Sequence, residues 1–172
     1  MTKVKNTIKF KGNPLTLAGN LPKVGKKAPD FEAVANDLSP FKLSEIKGKA
    51  IVICSVPSLD TPVCDTEVRK FNERATSLGD DVVVLAISMD LPFAQNRWCG
   101  AAGVKNVQTL SDYKQGSFGS SYGVLIKELR LLARAVFVVD KKGVIRYIQV
   151  VDDLSHEPDY EAALKAAKEV QK

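Results

Sequence analysis

Two near-continuous apolar runs dominate the chain: AIVICSV over 50–56 and VVVLAISM over 82–89. Neither alternates, so each is expected to be covered on both faces, as in the buried strands of an α/β sheet. A third run, ARAVFVVD over 133–140, leads through Lys141, Lys142 and Gly143 into VIRYIQV over 144–150, a β-hairpin pattern. Between the first two runs the period changes. Val68, Phe71, Ala75 and Leu78 recur at steps of three and four, which gives a helix one apolar face. Thr61 is its expected N-cap, Pro62 its first residue and Gly79 its stop. A shorter helix is predicted over 92–102, starting at Pro92. Another is predicted over 158–171, where good helix formers concentrate.

Smaller elements flank these. Lys alternates with apolar residues in VKNTIKFK over 4–11, which reads as a strand with one wet side. It is expected to pair with 15–18 through a turn at Gly12, Asn13 and Pro14. Residues 22–29 read as a loop, 31–35, 41–43 and 107–110 as short strands, and the glycine-rich 115–123 as a turn of helix plus loop. The order is β-α-β-α-β, then β-β-α. It predicts an α/β fold with a central mixed sheet flanked by helices. This is the thioredoxin-like arrangement, in one domain over 1–172 with an N-terminal β-hairpin extension over 1–19.

Composition narrows the function. A 172-residue chain with 45% hydrophobic residues can bury a real core. No apolar run approaches the roughly 18 residues of a membrane span. The lysine-bearing start lacks the apolar centre of a signal peptide, so a cytoplasmic location is expected. Net charge is +5 but uneven: residues 1–29 hold seven lysines and no acid. Without interleaved arginines and aromatics, that stretch reads as a solvated face and not as a nucleic-acid site. The three cysteines, Cys54, Cys64 and Cys99, are an odd number spaced by ten and 35. That disfavours a disulfide framework and a zinc site, and no metal or other cofactor is expected. His156 is the one histidine. It lies in a loop and leaves a histidine-dependent hydrolase unsupported.

Cys54 falls inside the 50–56 strand and reads as a small apolar core residue. Cys64 is different. It sits where SVPSLDTPVC over 55–64 ends a strand and begins a helix. As the third helical residue it meets the positive end of the helix dipole and unbonded amides, which favour a thiolate. Pro57 and Pro62 stiffen this entry. Asp65 follows directly; its charge opposes a thiolate next door, although an acid suits a first helical turn.

Pro57, Thr61 and Cys64 form the spacing P-x-x-x-T-x-x-C, which resembles the active-site motif of peroxiredoxins. SVPSLDTPVC, SMDLPFAQNRWCG over 88–100 and LLARAVFVVD over 131–140 are together similar to the atypical two-cysteine subgroup. The likeness runs from about residue 15 to the end of the chain. It implies a thiol-dependent peroxidase serving antioxidant defence, with Cys64 peroxidatic and Cys99 resolving through an intrachain disulfide. Thr61 and Arg134 would complete the peroxide site, with Pro57 shielding the sulfur. Arg134 is a permanent cation that could stabilise the displaced oxygen. The resemblance also implies hydroperoxide substrates, thioredoxin as reductant and a homodimer. Leu59, Val63, Phe93, Leu131 and Leu132 suggest a greasy rim that would favour alkyl hydroperoxides. Bridged cysteines need Cα atoms within about 7 Å, so two helix-borne cysteines imply local unwinding near 60–66 and 92–100 on oxidation. Two alternatives stand beside this reading: a dithiol–disulfide oxidoreductase, which normally needs C-x-x-C, and an interaction module with inert thiols.

Overall fold

A computed structural model describes residues 6–171. The chain runs β1 Thr7–Phe10, β2 Asn13–Ala18, β3 Glu32–Val34, β4 Pro40–Lys42, β5 Ala50–Ser55, α1 Pro62–Ala75 and β6 Val82–Ser88. It continues with α2 Pro92–Ala102, β7 Gln108–Ser111, α3 Ser117–Ser121, β8 Leu125–Ile126, β9 Leu131–Leu132, β10 Ala135–Val139, β11 Ile145–Val150 and α4 Tyr160–Glu169. Seven strands form the main sheet, in the order β11-β10-β5-β6-β7-β3-β4. β5, β6 and β7 are parallel, joined through α1 and α2, while β10 runs antiparallel to β5. The arrangement is thioredoxin-like, as the element order predicted.

The non-alternating runs have a simple cause. Ile51, Ile53, Leu85, Ile87, Ala135 and Phe137 project to one core. Val52, Cys54, Val84, Ala86, Val136 and Val138 project to the other. The second core is closed by α1 and α4, with Trp98 and Ala102 of α2 packed against it. The first is closed by Phe118 of α3 and by a second, four-stranded sheet in the order β1-β2-β8-β9. Its centre is aromatic: Phe118 stacks on Tyr122 at 4.7 Å and meets Phe31 edge-on at 5.1 Å.

Two details differ from the sequence reading, and one lies outside the described residues. The hairpin turns at Lys11 and Gly12, both at positive φ (50° and 82°), and Asn13 and Pro14 already belong to β2. Two left-handed residues match the twist of a tight hairpin, a geometry the Gly12-Asn13-Pro14 reading did not anticipate. The predicted first strand included residues 4 and 5, which lie outside the described residues. The second sheet was not foreseen, because β8 and β9 are two residues long and too short to show a period. The predicted helix over 61–79 is otherwise found: α1 tightens into a 3-10 turn over Thr76–Leu78 and stops at Gly79, φ 82°.

Truncating Phe118 should expose how far the second sheet depends on that aromatic centre. Phe118→Ala is expected to lower the unfolding free energy by about 3–5 kcal/mol in urea denaturation, the usual cost of an emptied aromatic site. A loss below about 1 kcal/mol would contradict this packing account.

Candidate active site

Cys64 lies in the first turn of α1 and is buried. Thr61 is the N-cap residue and Pro62 the first helical residue. The first amide of this turn to find a helical partner is Asp65 N–H, which bonds Thr61 O at 2.9 Å. The preceding amides have no carbonyl one turn back, so the positive end of the helix is presented around the Cys64 position. The Thr61 hydroxyl does not cap. It donates to Ser58 O at 3.0 Å, which leaves its lone pairs free to accept. Pro57 is buried in the loop above.

Arg134 reaches the sulfur. It immediately precedes β10, is 1% exposed, and its Nη2 lies 3.3 Å from Cys64 Sγ. The same nitrogen donates to Leu154 O at 2.8 Å, and Nη1 donates to Glu67 Oε2 at 2.6 Å. Arg134 is therefore a buried charge held by three partners. Burial draws its pKa down, but Glu67 and Cys64 outweigh that and raise it. Glu67 was missed. It stands three residues after Cys64, on the same face as Val68, Phe71 and Ala75, and an acid on an apolar helical face is the signal that could have found it. Burial pushes its pKa up to about 7, against the pull of Arg134.

A second carboxylate fixes the loop before the helix. Asp90, at the end of β6, accepts Ser58 Oγ–H at 2.7 Å and Leu59 N–H at 2.8 Å, and it also accepts Ser88 Oγ–H at 2.7 Å. The residues between Pro57 and Cys64 are thus tied to the start of α2. Asp65 accepts Arg69 Nε–H at 2.8 Å and Trp98 Nε1–H at 2.8 Å.

Cys99 is not beside Cys64. It sits in α2, where its Sγ lies 3.3 Å from Thr109 Oγ1 on β7. The Thr109 proton is given to Asn36 Oδ1 at 3.0 Å, so the Cys99 thiol is the donor of that pair. β7 and β10 are separated by β5 and β6. At about 4.8 Å per strand, β7, which carries the Thr109 partner of Cys99, and β10, next to the Arg134 partner of Cys64, lie about 14 Å apart. Cys54 is buried in β5 and donates to Leu85 O. Burial, with the charge of Glu67, raises its pKa well above the ordinary thiol value. A cavity of about 500 Å³ lies elsewhere, lined by Lys27, Leu43, Lys47 and Val139 among others, and Cys64 is not in its lining. Among the described residues, no group of three or more His, Cys, Asp or Glu is placed to hold a metal ion.

Comparison with known proteins places this geometry. Residues 23–164 match the Redoxin family. A thiol peroxidase of Halalkalibacterium halodurans is 56% identical over 94% of this chain and 97% of its own length. One from Bacillus subtilis is 53% identical over 94% and 96%. A crystal structure of a peroxiredoxin-like protein from Aquifex aeolicus superposes with a TM-score of 0.90 at 43% identity, covering 96% of this chain and 97% of that one. The chain belongs to the redoxin family, as a thiol peroxidase of the peroxiredoxin type. A thiol peroxidase from Chromobacterium violaceum, 20% identical with a TM-score of 0.86 over 98% of each chain, shares the fold.

The buried pair makes stability depend on pH. Glu67 binds its proton more tightly folded, at about 7, than the ordinary 4.5. Its contribution is full below about 4.5 and is lost as pH rises through about 7, because the folded state holds the extra proton. In urea unfolding across that window, Glu67→Gln is expected to flatten the fall in stability seen in the wild type. Parallel curves for the two proteins would contradict this assignment.

Proposed function

We propose that Cys64 is the peroxidatic residue and Cys99 the resolving one, in a cycle closed by an intrachain disulfide. The observation that carries the reading is the Arg134 guanidinium 3.3 Å from a buried sulfur at a helix N-terminus. The Cys64 thiolate attacks one peroxide oxygen and the O–O bond breaks. The sulfur is oxidised by two electrons to a sulfenic acid, and the second oxygen leaves as an alcohol or water after taking a proton. Arg134 and the free first-turn amides oppose the negative charge that moves from sulfur to the leaving oxygen. Thr61 can accept from the peroxide O–H through its lone pairs, and Pro57 keeps water from the sulfur.

Cys99 then attacks the sulfenic sulfur. The S–O bond breaks, water leaves, and the disulfide forms. A thioredoxin-type dithiol reductant restores both thiols by exchange and is itself oxidised. Cys64 and Cys99 sit in different helices, one held against Arg134 and the other against Thr109. Residues 60–66 and 92–100 unwind in this cycle so that the two sulfurs can come within disulfide reach. The dithiol–disulfide alternative is disfavoured because the second position of a C-x-x-C beginning at Cys64 is occupied by Glu67, which is engaged with Arg134.

Substrate and context follow from the same reading. Val63 and Leu131 are half-buried and Phe93 is 66% exposed, an apolar set that suits alkyl hydroperoxides. Leu59 and Leu132 are buried, one in each of the two cores, and stand back from this rim. Leu91 and Phe93, exposed at the start of α2, offer apolar surface to a second copy in a homodimer. One functional domain over 1–172 is inferred because β2 pairs with β8, and Lys9 bonds the backbone of Asp152 and Leu154. The cytoplasm is the compartment proposed, given the odd number of cysteines. No described helix is long and apolar enough to cross a membrane.

The test is one equivalent of an organic hydroperoxide added to reduced protein, followed by non-reducing digestion and mass spectrometry. A Cys64–Cys99 link within one chain is expected. Cys64→Ser should abolish turnover, Cys99→Ser should leave a sulfenic acid that a dimedone-type trap labels, and Cys54→Ser should turn over normally. A sulfenic acid at Cys64 with no link in the wild type would remove Cys99 from the cycle.

A further inference from the structure

We propose that Asp65 and Trp98 form a latch between the two cysteine-bearing helices, and that opening it sets how fast Cys99 reaches oxidised Cys64. This rests on the cysteine roles proposed above. Asp65 directly follows Cys64, and Trp98 directly precedes Cys99. Trp98 Nε1–H donates to Asp65 Oδ1 at 2.8 Å. The other carboxylate oxygen accepts Arg69 Nε–H at 2.8 Å, and the Arg69 guanidinium lies over the Trp98 ring, 5.6 Å from its centre. Arg69 Nη1 also reaches Ala102 O, at the end of α2, at 3.4 Å. Two side chains of α1 therefore hold one side chain and the last residue of α2.

The position of this cluster gives it a kinetic role. Both helical segments must give way before the sulfurs meet, and the Asp65–Trp98 bond joins the neighbours of the two sulfurs. Unwinding either segment carries Asp65 away from Trp98, so the bond must break as the helices give way. The Asp90 bonds to Ser58 and Leu59 tie the loop ahead of Cys64, while this latch ties the helix behind it. The bond is charge-assisted and so stronger than a neutral one. Asp65 and Arg69 are 34% and 45% exposed in their side chains, and water weakens the cluster accordingly. The latch thus slows resolution without forbidding it. A slower resolution gives a second peroxide longer to convert the sulfenic acid to a sulfinic acid, so the latch also sets how readily the enzyme is over-oxidised.

Trp98→Phe deletes the N–H donor and keeps a ring under Arg69. Asp65→Ala deletes the acceptor. Each is mixed with peroxide, quenched in acid after milliseconds to seconds, and resolved by mass into thiol, sulfenic, sulfinic and disulfide forms. Disulfide formation is expected to accelerate about three- to tenfold in both variants, the effect of one partly exposed charge-assisted bond. Sulfenic acid formation in Trp98→Phe should stay within about twofold of wild type, a separation that general destabilisation would not produce. The double variant should gain little beyond either single one, because both remove the same bond. At equal peroxide excess the variants should carry less sulfinic acid. Disulfide rates within twofold of wild type in both variants, or slower, would overturn the latch. A wild type that forms no Cys64–Cys99 disulfide at all would instead remove the cysteine assignment, and the latch with it.

Discussion

A buried guanidinium is the constraint around which this molecule is arranged. Arg134 is 1% exposed, and a charge in that setting must be met by partners or it destabilises the fold by several kcal/mol. Its three partners come from two places in the chain: Glu67 and Cys64 on α1, and Leu154 O in the segment between β11 and α4. Satisfying Arg134 therefore fixes the angle of α1 against the sheet and the path of the chain after β11. The satisfaction is incomplete. Arg134 Nε and Glu67 Oε1 have no protein partner. A bound substrate or water has polar groups to meet there, and the sulfur is the partner that chemistry can alter.

The reduced fold serves one half of the reaction and resists the other. Peroxide reduction needs the Cys64 sulfur, Arg134 and the helix N-terminus held together, because donors fixed in advance pay no reorganisation at the moment of charge transfer. In the proposed cycle, disulfide formation needs the same turn to leave its place. The opposing demands are visible in the bonds that hold each thiol. Cys64 is fixed through Arg134, and its loop through Asp90. Cys99 is fixed by giving its proton to Thr109, whose own hydroxyl is committed to Asn36. An enzyme of this design is expected to react first and open afterwards.

Much of the fold was legible because its strands are buried on two faces. The runs at 50–56, 82–89 and 133–140 have no alternation, and β5, β6 and β10 have none to show, since each side chain meets one of two cores. Thr61 and Pro62 marked the start of α1, and Gly79 the end of the 3-10 turn that continues it. The second sheet was not legible, because the β2–β8 pairing that joins its two local hairpins links segments more than 100 residues apart, such as Leu17 with Ile126. At the site, Cys64 could be placed from its position at a strand–helix junction. Glu67 stood out only as an acid on an apolar helical face, and its partner Arg134, 67 residues further on, was not legible from that position. The charge of Asp65 also reads differently in three dimensions: one of its oxygens is engaged by Trp98 and the other by Arg69.

The claim that Arg134 activates Cys64 is tested most directly by the second-order rate of Cys64 oxidation in Arg134→Gln, compared with wild type under conditions where circular dichroism shows both folded. Glutamine can still bond Glu67, which can accept a proton once the cation is gone, so the fold has a route to tolerate the change. A fall of about 100-fold or more is expected from loss of a preorganised charged donor at the reacting atoms. A variant that is folded and oxidises within about tenfold of wild type would contradict the account and place the activation of Cys64 in the helix terminus alone.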